Sequence, residues 1–408
     1  AGVNAGNSIA SGGNYNTVVG DEAGTAITTG DENVMIGYVA GDAINTSSQN
    51  VAVGAYALTA DTKGSKSVAI GRGALNAQNF TSATDSNNTA VGDKAGYAVT
   101  TGTNNTLVGT SAGDAMNTGT RNVAVGTGAL GVHTSGTDNV AIGSVDAAAA
   151  EVLGSNLTGG GNIAIGGGTL ANYTASNSLA VGYRALKAST DGHTNIGIGN
   201  YAGDAITTGD NIMIGYDCGS YTTNFITGGQ NVCIGHYITA GGTADNYANA
   251  LGYNLTAHGG YTTLGKGADD IRASHGSTTW STVSDERYKK DIEDAKAGLS
   301  FINALKPRTF KYKTLGELPE TFRAYEADST KVFKNENTNH GFIAQEVKQA
   351  IDADSDLKDG FRLWDERGDG SQEIAETALI PMLVKAIQEL SAKNTALEAK
   401  VTALENAE

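Results

Sequence analysis

Proline is almost missing from this chain, with 3 residues among 408, whereas glycine contributes 56. Average protein composition holds about 5% proline and about 7% glycine. High glycine with so little proline excludes collagen and disfavours a Pro/Gly/Ser linker. The composition favours a regular architecture that turns tightly and often, because glycine adopts backbone conformations that other residues avoid.

Cysteine is equally scarce. Cys218 and Cys233 are the two cysteines, and they form neither a disulfide framework nor a metal-ligand spacing. We expect each to be a plain buried thiol. The sequence also lacks a run of about 18 apolar residues and a recognisable signal peptide, so it predicts no membrane insertion. It begins with Ala1 instead of Met, which predicts a fragment or a processed product.

Basic residues are few: 27 Lys and Arg stand against 43 Asp and Glu, for a net charge of −16. A nucleic-acid partner requires a basic face, so we expect none. The composition also changes along the chain, since 50 of the 56 glycines precede Asp285, whereas 18 of the 27 Lys and Arg residues follow it. This change, near residues 268–285, predicts a boundary between a glycine-rich region and a charged one.

A repeat of the form Asn-(Val/Ile/Thr)-x-(Val/Ile)-Gly fills the glycine-rich region. Residues 33–37 read Asn-Val-Met-Ile-Gly, and residues 122–126 read Asn-Val-Ala-Val-Gly. The closing glycines recur mostly every 16 or 17 residues, with longer steps after Gly71, Gly143 and Gly215. They are Gly20, Gly37, Gly54, Gly71, Gly92, Gly109, Gly126, Gly143, Gly166, Gly182, Gly199, Gly215, Gly235, Gly252 and Gly265.

Each copy predicts one short strand, a glycine turn, a stretch of small residues such as 201–205, and a second turn such as 100–104. Strand side chains alternate, so the two valines of Val-Ala-Val share one face. We expect these valines to stack into the core and the alanine face to admit a close approach. A coil of about 17 residues cannot bury its own strand, so residues 1–267 predict a parallel β-roll or β-helix of about 15 coils.

The pattern Asn-(Ser/Thr/Val)-x-Ala-(Val/Ile)-Gly-x-x-Ala resembles the head repeats of trimeric autotransporter adhesins and repeat regions of many phage fibre proteins. The resemblance covers about two thirds of the chain and implies a trimeric, left-handed parallel β-roll. The repeats contain Asp42, Asp114 and Asp204 in Gly-Asp-Ala, but the nonapeptide of calcium-binding RTX loops is absent. No paired carboxylates have a clear catalytic context. We therefore expect the repeat to be scaffold, with no metal and no cofactor.

The repeat pattern then breaks, and residues 268–283 look like a connector. Three blocks follow: Ser-Asp-Glu-Arg-Tyr-Lys-Lys-Asp-Ile at 284–292, Leu-Lys-Pro-Arg-Thr-Phe-Lys-Tyr at 305–312 and His-Gly-Phe-Ile-Ala-Gln-Glu-Val at 340–347. In that order the blocks resemble the peptidase S74 family, the intramolecular chaperone domain of phage tailspikes and fibres, over residues 284–408. The resemblance implies a small α/β domain that drives trimer assembly of the preceding β-rich segment and then cuts itself off.

The resemblance also assigns a catalytic pair, because Ser284 and Lys289 match the family's serine and lysine. A serine hydroxyl is a weak nucleophile unless a base lies beside it. A lysine serves as that base when burial lowers its pKa, and a turn or a helix start can bring two residues five apart together. His340, Gln345 and Glu346 are candidate supporting residues, with packing and ordinary solvation as the plainer alternatives.

The resemblance implies a cut between Ser284 and Asp285. The family has Asn or Asp after the serine, and Asp285 fits this pattern. Attack by Ser284 on its own carbonyl closes a strained four-membered ring. Attack on the carbonyl of Val283 closes a five-membered ring but cuts before Ser284. Residues of a neighbouring chain offer a third route in a trimer. For this block alone, the alternative is a solvated helix start with Ser284 as its N-cap.

The end of the chain, residues 376–408, predicts a helix with a coiled-coil seam, because apolar residues recur in alternating steps of three and four. The seam consists of Ile380, Leu383, Ile387, Leu390, Asn394, Leu397, Val401 and Leu404. A polar residue such as Asn394 in a seam fixes the register at some cost in stability. The number of helices is not given by the pattern, and the trimer comes from the resemblance.

Together these observations predict a homotrimeric segment of a viral (phage) tail fibre or spike, made in the host cytoplasm and located in the virion. It would bind a host surface glycan or protein receptor, join upstream virion tail proteins, and end in a self-cleaving serine peptidase of single turnover. The rival interpretations are a bacterial trimeric adhesin head, a glycan-degrading tailspike, and an uncleaved structural cap.

Overall fold

A computed structural model of the chain describes residues 2–148, 150–156, 158–190, 194–357 and 363–406. The backbone forms two compact units, Ala1–Ser284 and Asp285–Glu408. The first unit is built from short strands, and the second mixes short strands with helices. The predicted fold class, a parallel β-repeat followed by a smaller mixed domain that ends in a long helix, is confirmed.

The first unit is a parallel β-solenoid whose strands are mostly three residues long. Its strands are β1 (Thr17–Val19), β2 (Val34–Ile36), β3 (Val51–Val53), β4 (Gly64–Ser65), β5 (Val68–Ile70), β6 (Thr84–Asp85), β7 (Thr89–Val91), β8 (Thr106–Val108), β9 (Val123–Val125), β10 (Val140–Ile142), β11 (Ile163–Ile165), β12 (Leu179–Val181), β13 (Ile196–Ile198), β14 (Ile212–Ile214), β15 (Val232–His236), β16 (Thr239–Ala240), β17 (Asn249–Tyr253), β18 (Thr256–Ala257), β19 (Tyr261–Lys266), β20 (Asp269–Ser274) and β21 (Ser281–Thr282). Successive motif strands from β1 to β19 pair in parallel, one strand per coil, which gives about 14 turns.

Equivalent residues of successive coils lie side by side. Val34 pairs with Val51, and Met35 pairs with Ala52. The central residue of each strand is the buried one, since Met35 and Ala52 are fully buried, whereas the flanking Ile36 is 38% exposed. The prediction that the valines stack into the core was therefore wrong, because the residue between them is the buried one.

The thinness of each coil explains the reversal. The opposite wall of the coil contributes residues such as Ala57 and Leu58 to the same buried cluster as Ala52. Two walls so close together leave room for alanine or the unbranched Met35 at the centre of the strand, but not for a pair of β-branched side chains. The first and third residues of each motif strand point away from the interior. In the large sheet, from β1 to β17, they form an outer apolar face made mostly of Val and Ile.

A column of buried asparagines runs along the solenoid at the position before each motif strand. The backbone N–H of Asn122 donates to Oδ1 of Asn105 at 3.0 Å, and Oδ1 of Asn122 accepts in turn from the N–H of Asn139 at 3.0 Å. Nδ2 of Asn122 donates to the carbonyl oxygen of Gly136 at 2.9 Å. Each asparagine thus ties its coil to both neighbours and to the turn of its own coil, which satisfies polar groups that water cannot reach.

A second column consists of the motif glycines, all of which have positive φ. Gly109, for example, has φ +137°, and a Cβ there would lie 2.5 Å from the carbonyl oxygen of Gly126 in the next coil. The same turn therefore demands glycine twice over, for its backbone conformation and for the close approach of the neighbouring coil. In the second turn of the coil, Asn104 has φ +61°, as its turn sequence predicts.

The segment predicted as a connector is itself β-structure. Strand β20 runs antiparallel to β19, with Leu264 opposite Ile271, and β21 runs antiparallel to β20. The parallel stack would otherwise end on an open strand edge, which invites pairing with other chains. The two antiparallel strands cover that edge, so this segment closes the end of the solenoid.

The second unit packs a small mixed core. Its elements are a 3₁₀ helix (Glu286–Tyr288), α1 (Leu299–Ala304), β22 (Arg308–Phe310), a 3₁₀ helix (Leu315–Glu317), β23 (Asn339–Gly341), α2 (Ala344–Ala353), β24 (Trp364–Glu366), β25 (Gln372–Ile374), a 3₁₀ helix (Glu376–Leu379) and α3 (Ile380–Glu405). The core joins residues far apart in sequence, including Phe301, Val347, Leu363 and Leu379. Strands β22 and β23 pair antiparallel, as do β24 and β25.

Helix α3 leaves its apolar seam uncovered in the single chain. Ile387 is 66% exposed and Leu404 is 70% exposed, while Ala386 is buried against the rest of the unit. Nδ2 of Asn394 donates to Glu398 of the same helix at 2.8 Å. The predicted helix is confirmed, and its pairing into a coiled coil stays a prediction. Among the described helices, none has both the length and the apolarity to cross a membrane.

Candidate functional site

The first predicted site residue lies at the end of the solenoid unit. Ser284 is exposed and has irregular backbone, two residues after the end of β21. The next residue, Asp285, is the N-cap of the 3₁₀ helix Glu286–Tyr288, because its Oδ1 accepts from the backbone N–H of Arg287 at 2.8 Å. The alternative interpretation placed Ser284 at this N-cap. The cap is Asp285 instead, so capping does not account for the serine.

Asp285 also pairs with the side chain of Arg287. Nε of Arg287 donates to Oδ1 at 2.9 Å, and Nη2 donates to Oδ2 at 2.6 Å. These hydrogen bonds from Arg287 lower the pKa of Asp285 below its ordinary value. The carboxylate therefore stays ionised and held by its own helix, which suits a group that orients the local backbone better than one that accepts a proton in catalysis.

Lys289 ends the same short helix. It is the C-cap, its backbone N–H donates to the carbonyl oxygen of Glu286 at 2.8 Å, and its side chain is exposed. Along the chain, one turn of 3₁₀ helix separates Ser284 from Lys289. The sequence spacing of five residues is thus realised as a helix start, one of the two conformations that the sequence predicts for this pair.

His340 and Gln345 lie on either side of the turn that leads from β23 into α2. His340 is opposite Thr309 in the β22–β23 pair, and both His340 and Gln345 are exposed. They line one open groove of about 420 Å³, together with Phe310 and Glu376. The structure brings these two candidate supporting residues together, within the second unit.

Glu346 has a different role from the two residues beside it. Its carboxylate accepts from Nε of Arg308 at 2.9 Å and from Nη2 at 2.5 Å, a two-point ion pair that joins α2 to β22. The hydrogen bond from Arg308 lowers the pKa of Glu346. Glu346 is thus neither simply solvated nor a wall of the groove, and it holds the helix against the strand.

Several residues around the groove were not singled out from the sequence. Arg308 lies within a sequence block that was recognised, but nothing there pointed to its partner. Gln372 and Glu376 belong to β25 and the 3₁₀ helix that follows it, and they reach the groove only through the tertiary fold. Among the described residues, no group of three or more His, Cys, Asp or Glu side chains is placed to hold a metal ion.

Comparison with known proteins bears on the second unit. Residues 284–355 match the model of the family Peptidase S74, described as the chaperone of endosialidase. No curated protein and no solved structure matches the chain. The match begins at Ser284 and covers the predicted pair and the candidate supporting residues, so this part of the chain is similar to Peptidase S74 chaperone domains, and it follows a parallel β-solenoid.

Proposed function

We propose that the protein is a homotrimeric tail fibre or tailspike segment of a phage, located in the virion and used for host attachment. Its C-terminal domain drives assembly of the trimer and then cuts itself off near Ser284 and Asp285. The solenoid contacts a host surface glycan or protein receptor, and upstream tail proteins connect it to the virion. The observation that carries the proposal is the Peptidase S74 match, which begins at the residue where the two compact units divide.

The trimer is supported by apolar surface that a single chain leaves uncovered. On the solenoid, the outer apolar face includes Ile70, Ile142 and Ile234, each 37–38% exposed. On the second unit, the seam of α3 is more exposed still, with Ile387 at 66%. S74 chaperone domains are associated with trimer assembly, and stacking the outer face and the seam against copies of the same chain removes both surfaces from water.

A separate assembly domain meets a need of this solenoid. Every coil presents nearly the same strand, so two chains that meet out of step by one coil still make similar contacts. A charged domain with its own seam and a polar Asn394 sets the register before the solenoids pack. Cutting the domain away afterwards leaves the assembled solenoid kinetically stable, because refolding then lacks its template.

For the cleavage, we propose Ser284 as the nucleophile and Lys289 as the base that takes the proton from its hydroxyl. One turn of 3₁₀ helix advances by about 6 Å. The long side chain of Lys289 can therefore span the distance along the chain to the hydroxyl of Ser284. Packing of the trimer buries the exposed Lys289 side chain, which favours the neutral amine that the reaction requires. The oxygen of Ser284 forms an ester with the attacked carbonyl, the peptide nitrogen leaves as an amine, and water then hydrolyses the ester.

The scissile bond distinguishes two routes. Attack on the carbonyl of Val283 yields residues 1–283 and 284–408, whereas attack across chains on the carbonyl of Ser284 yields residues 1–284 and 285–408. Intact-mass analysis of the purified protein separates these outcomes, because the fragments differ by one serine.

The decisive comparison uses wild type, Ser284→Ala, Lys289→Ala and two matched controls. Ser281→Ala and Lys290→Ala change an exposed serine and an exposed lysine close by. We expect two fragments in wild type and in both controls, and one full-length chain in Ser284→Ala and Lys289→Ala. Native mass should show trimers in all five proteins. A single full-length chain in wild type would remove the protease and leave an uncleaved structural cap.

A further inference from the structure

One corner of the solenoid changes character along its length. This corner is formed by the two residues that follow each motif glycine. In the N-terminal half, apart from Tyr38 and Tyr56, it carries mostly polar, charged or small residues, among them Arg72 and Asp93, which form an exposed ion pair at 2.9 Å. A position that accepts charged residues faces water. From β12 onward, the same corner carries aromatic residues, although its backbone setting is unchanged.

These aromatic residues form a continuous ladder from one coil to the next. The ring centroids of Tyr183 and Tyr201 are 5.4 Å apart, those of Tyr201 and Tyr216 are 6.1 Å apart, and those of Tyr216 and Tyr237 are 5.5 Å apart. Tyr253 continues the ladder at 6.0 Å from Tyr237. All four steps are edge-to-face, the preferred geometry of aromatic pairs.

Two further rings widen the ladder at its centre. The ring of His236 stacks on Tyr237 at 4.2 Å and 14°, and the ring of Tyr221 lies at 4.5 Å from Tyr237. Tyr216 and Tyr221 remain 40% and 45% exposed. We call the rings of Tyr183, Tyr201, Tyr216, Tyr221, His236, Tyr237 and Tyr253 the aromatic corner.

The groups around the aromatic corner decide which partner fits it. Asp204 and Asp217 lie beside it, and burial raises the pKa of both carboxyls while the charge of Asp217 adds to the effect on Asp204. Arg184, at one end, is already paired with Asp146 at 2.6 Å. At the other end, Lys266 lies opposite Tyr253. Beside the central rings, the two carboxylates disfavour phosphate, sulfate and acidic sugars, and they accept hydrogen bonds from hydroxyl groups.

The shape of the corner points the same way. The ladder is narrow, about one ring per coil, and it follows the solenoid axis, where successive strands lie about 4.8 Å apart. A folded protein partner requires a broad contact surface of roughly 800 Å² on each side. A polysaccharide presents what a ladder offers: a long, thin chain whose rings have apolar C–H faces edged by hydroxyl groups.

We infer that the aromatic corner binds a linear polysaccharide of neutral sugars, which lies along the solenoid axis with its ring faces against the tyrosines and its hydroxyls hydrogen-bonded to Asp204 and Asp217. The inference rests on the proposed attachment function and names the class of receptor. The corner follows the glycine turn, beyond the end of each motif strand, so it is distinct from the outer apolar face that the trimer would cover.

The test uses the full-length protein in native gels that contain dextran, mannan or a linear β-glucan as neutral probes, and hyaluronan as the acidic probe. The ladder variant combines Tyr216→Ala with Tyr237→Ala. The matched control combines Tyr38→Ala with Tyr56→Ala, an isolated edge-to-face pair at the same corner with centroids 5.4 Å apart. A third variant, Tyr216→Phe with Tyr237→Phe, keeps the rings.

We expect at least one neutral polysaccharide to retard wild type, with little dependence on salt, and hyaluronan not to retard it. The ladder variant should bind at least about tenfold more weakly, a loss usual for aromatic residues at the centre of a binding site, while the control and the Phe variant bind nearly as well as wild type. Equal binding by the ladder variant, preference for hyaluronan, or no retardation by any neutral probe would overturn the inference. Native mass and fragment masses, measured on the same samples, report trimer assembly and cleavage separately from binding.

Discussion

The two units of this protein are stabilised in different ways. In the solenoid, a few contacts recur on every coil: a central buried residue, an asparagine that bridges two neighbours, and a glycine on which the next coil rests. In the second unit, each contact occurs once. Leu299, for instance, receives its helix cap from Glu389, 90 residues further along the chain. The solenoid is therefore stabilised by the same contacts between neighbouring coils, repeated along its length, whereas the second unit depends on a set of distinct long-range contacts.

Both units nevertheless share one property: each has apolar surface that a single chain leaves exposed. The solenoid leaves side chains of its outer face partly exposed, such as Ile70 at 38% and Ile142 at 37%, because only the central residue of each motif strand lies in its interior. The seam of α3 is exposed because that helix extends beyond the core of its unit, which buries Ala386. The apolar surface that supports the proposed trimer therefore arises in both units, from unrelated local geometry.

The largest effect should follow from a glycine substitution in the repeat. In Gly109→Ala, the new Cβ meets the carbonyl of Gly126 at 2.5 Å, and φ is +137°. Strain at such a φ alone costs about 1–3 kcal/mol, and the backbone clash adds to it, so unfolding should become easier by at least about 3 kcal/mol. The midpoint of urea unfolding, followed by circular dichroism, measures this change. Gly260→Ala is the control, since φ is +73° there and nothing lies within 4 Å of the new Cβ; an equal loss in both variants would show that the contact between coils is unimportant.

The next effect should come from the asparagine column. Asn122→Ala removes the partner of the carbonyl of Gly136 and of the N–H of Asn139, both in the buried interior. Each buried polar group left unpaired costs about 1–3 kcal/mol, so the free energy of unfolding should fall by about 2–4 kcal/mol. Asn45→Ala, which removes an exposed side-chain hydrogen bond to Thr28, is the control and should change it little. A loss no larger than that of the control would contradict the importance of the column.

Two positions of the asparagine column show which substitutions the solenoid accepts there. Serine replaces asparagine at two positions, and each serine has a buried companion. Nε2 of Gln78 donates to Ser67 at 2.8 Å, and the hydroxyl of Ser178 donates to the hydroxyl of Tyr173 at 2.8 Å. We therefore expect Asn122→Ser, which has no such companion, to lose nearly as much stability as Asn122→Ala in the same urea titration.

A smaller, pH-dependent effect is expected where an insertion lengthens one coil. The side chain of Asp146 is fully buried, which by itself would raise its pKa, but hydrogen bonds from the N–H of Ala150, from Arg184 and from the N–H of Ala148 hold the pKa at about 2. Since the unfolded value is about 3.9, the carboxylate contributes about 2.6 kcal/mol above about pH 5, and this contribution is lost progressively as the pH falls from about 5 to about 1.

Urea unfolding of Asp146→Asn against wild type, at pH 7 and at pH 2.5, measures this contribution. The two proteins should differ at pH 7, and the difference should shrink to about a third at pH 2.5. Asp138→Asn is the control, because Asp138 pairs with Arg121 on the exposed surface and should matter far less. A difference between Asp146→Asn and wild type that does not change with pH would contradict the assignment.

The difference between repeated and single contacts also explains which features of the structure could be predicted from the sequence. The coil length, the parallel stacking and the glycine turns were predictable, because each is encoded within a single repeat and then repeated. The direction of the side chains was not, since alternation says that Val34 and Met35 face opposite ways but not which way is inward. That choice depends on the thickness of the coil, which is set by residues such as Ala57 on the opposite wall.

The positions of Ser284 and Lys289 came from sequence blocks, and the structure adds the 3₁₀ turn that lies between them. The pairing of Glu346 with Arg308 and the meeting of His340 with Glu376 in one groove could not be predicted, because they join elements that are distant in sequence. The aromatic corner had a sequence signal, the recurrence of tyrosine after the motif glycine, but its meaning depends on ring geometry.

The smallest predicted effect concerns a contact that occurs once. The carboxylate of Glu389 on α3 accepts from the backbone N–H of Leu299 at 2.9 Å, at the first residue of α1. Helix caps of this kind contribute about 1 kcal/mol, so Glu389→Ala should lower the urea midpoint of the second unit slightly and Glu389→Gln, which keeps an acceptor oxygen, should lower it less. Neither change should affect the solenoid. If Glu389→Ala shifted the unfolding of the solenoid as strongly as Gly109→Ala, the two units would not be separately stabilised, and the contrast between repeated and single contacts would fail.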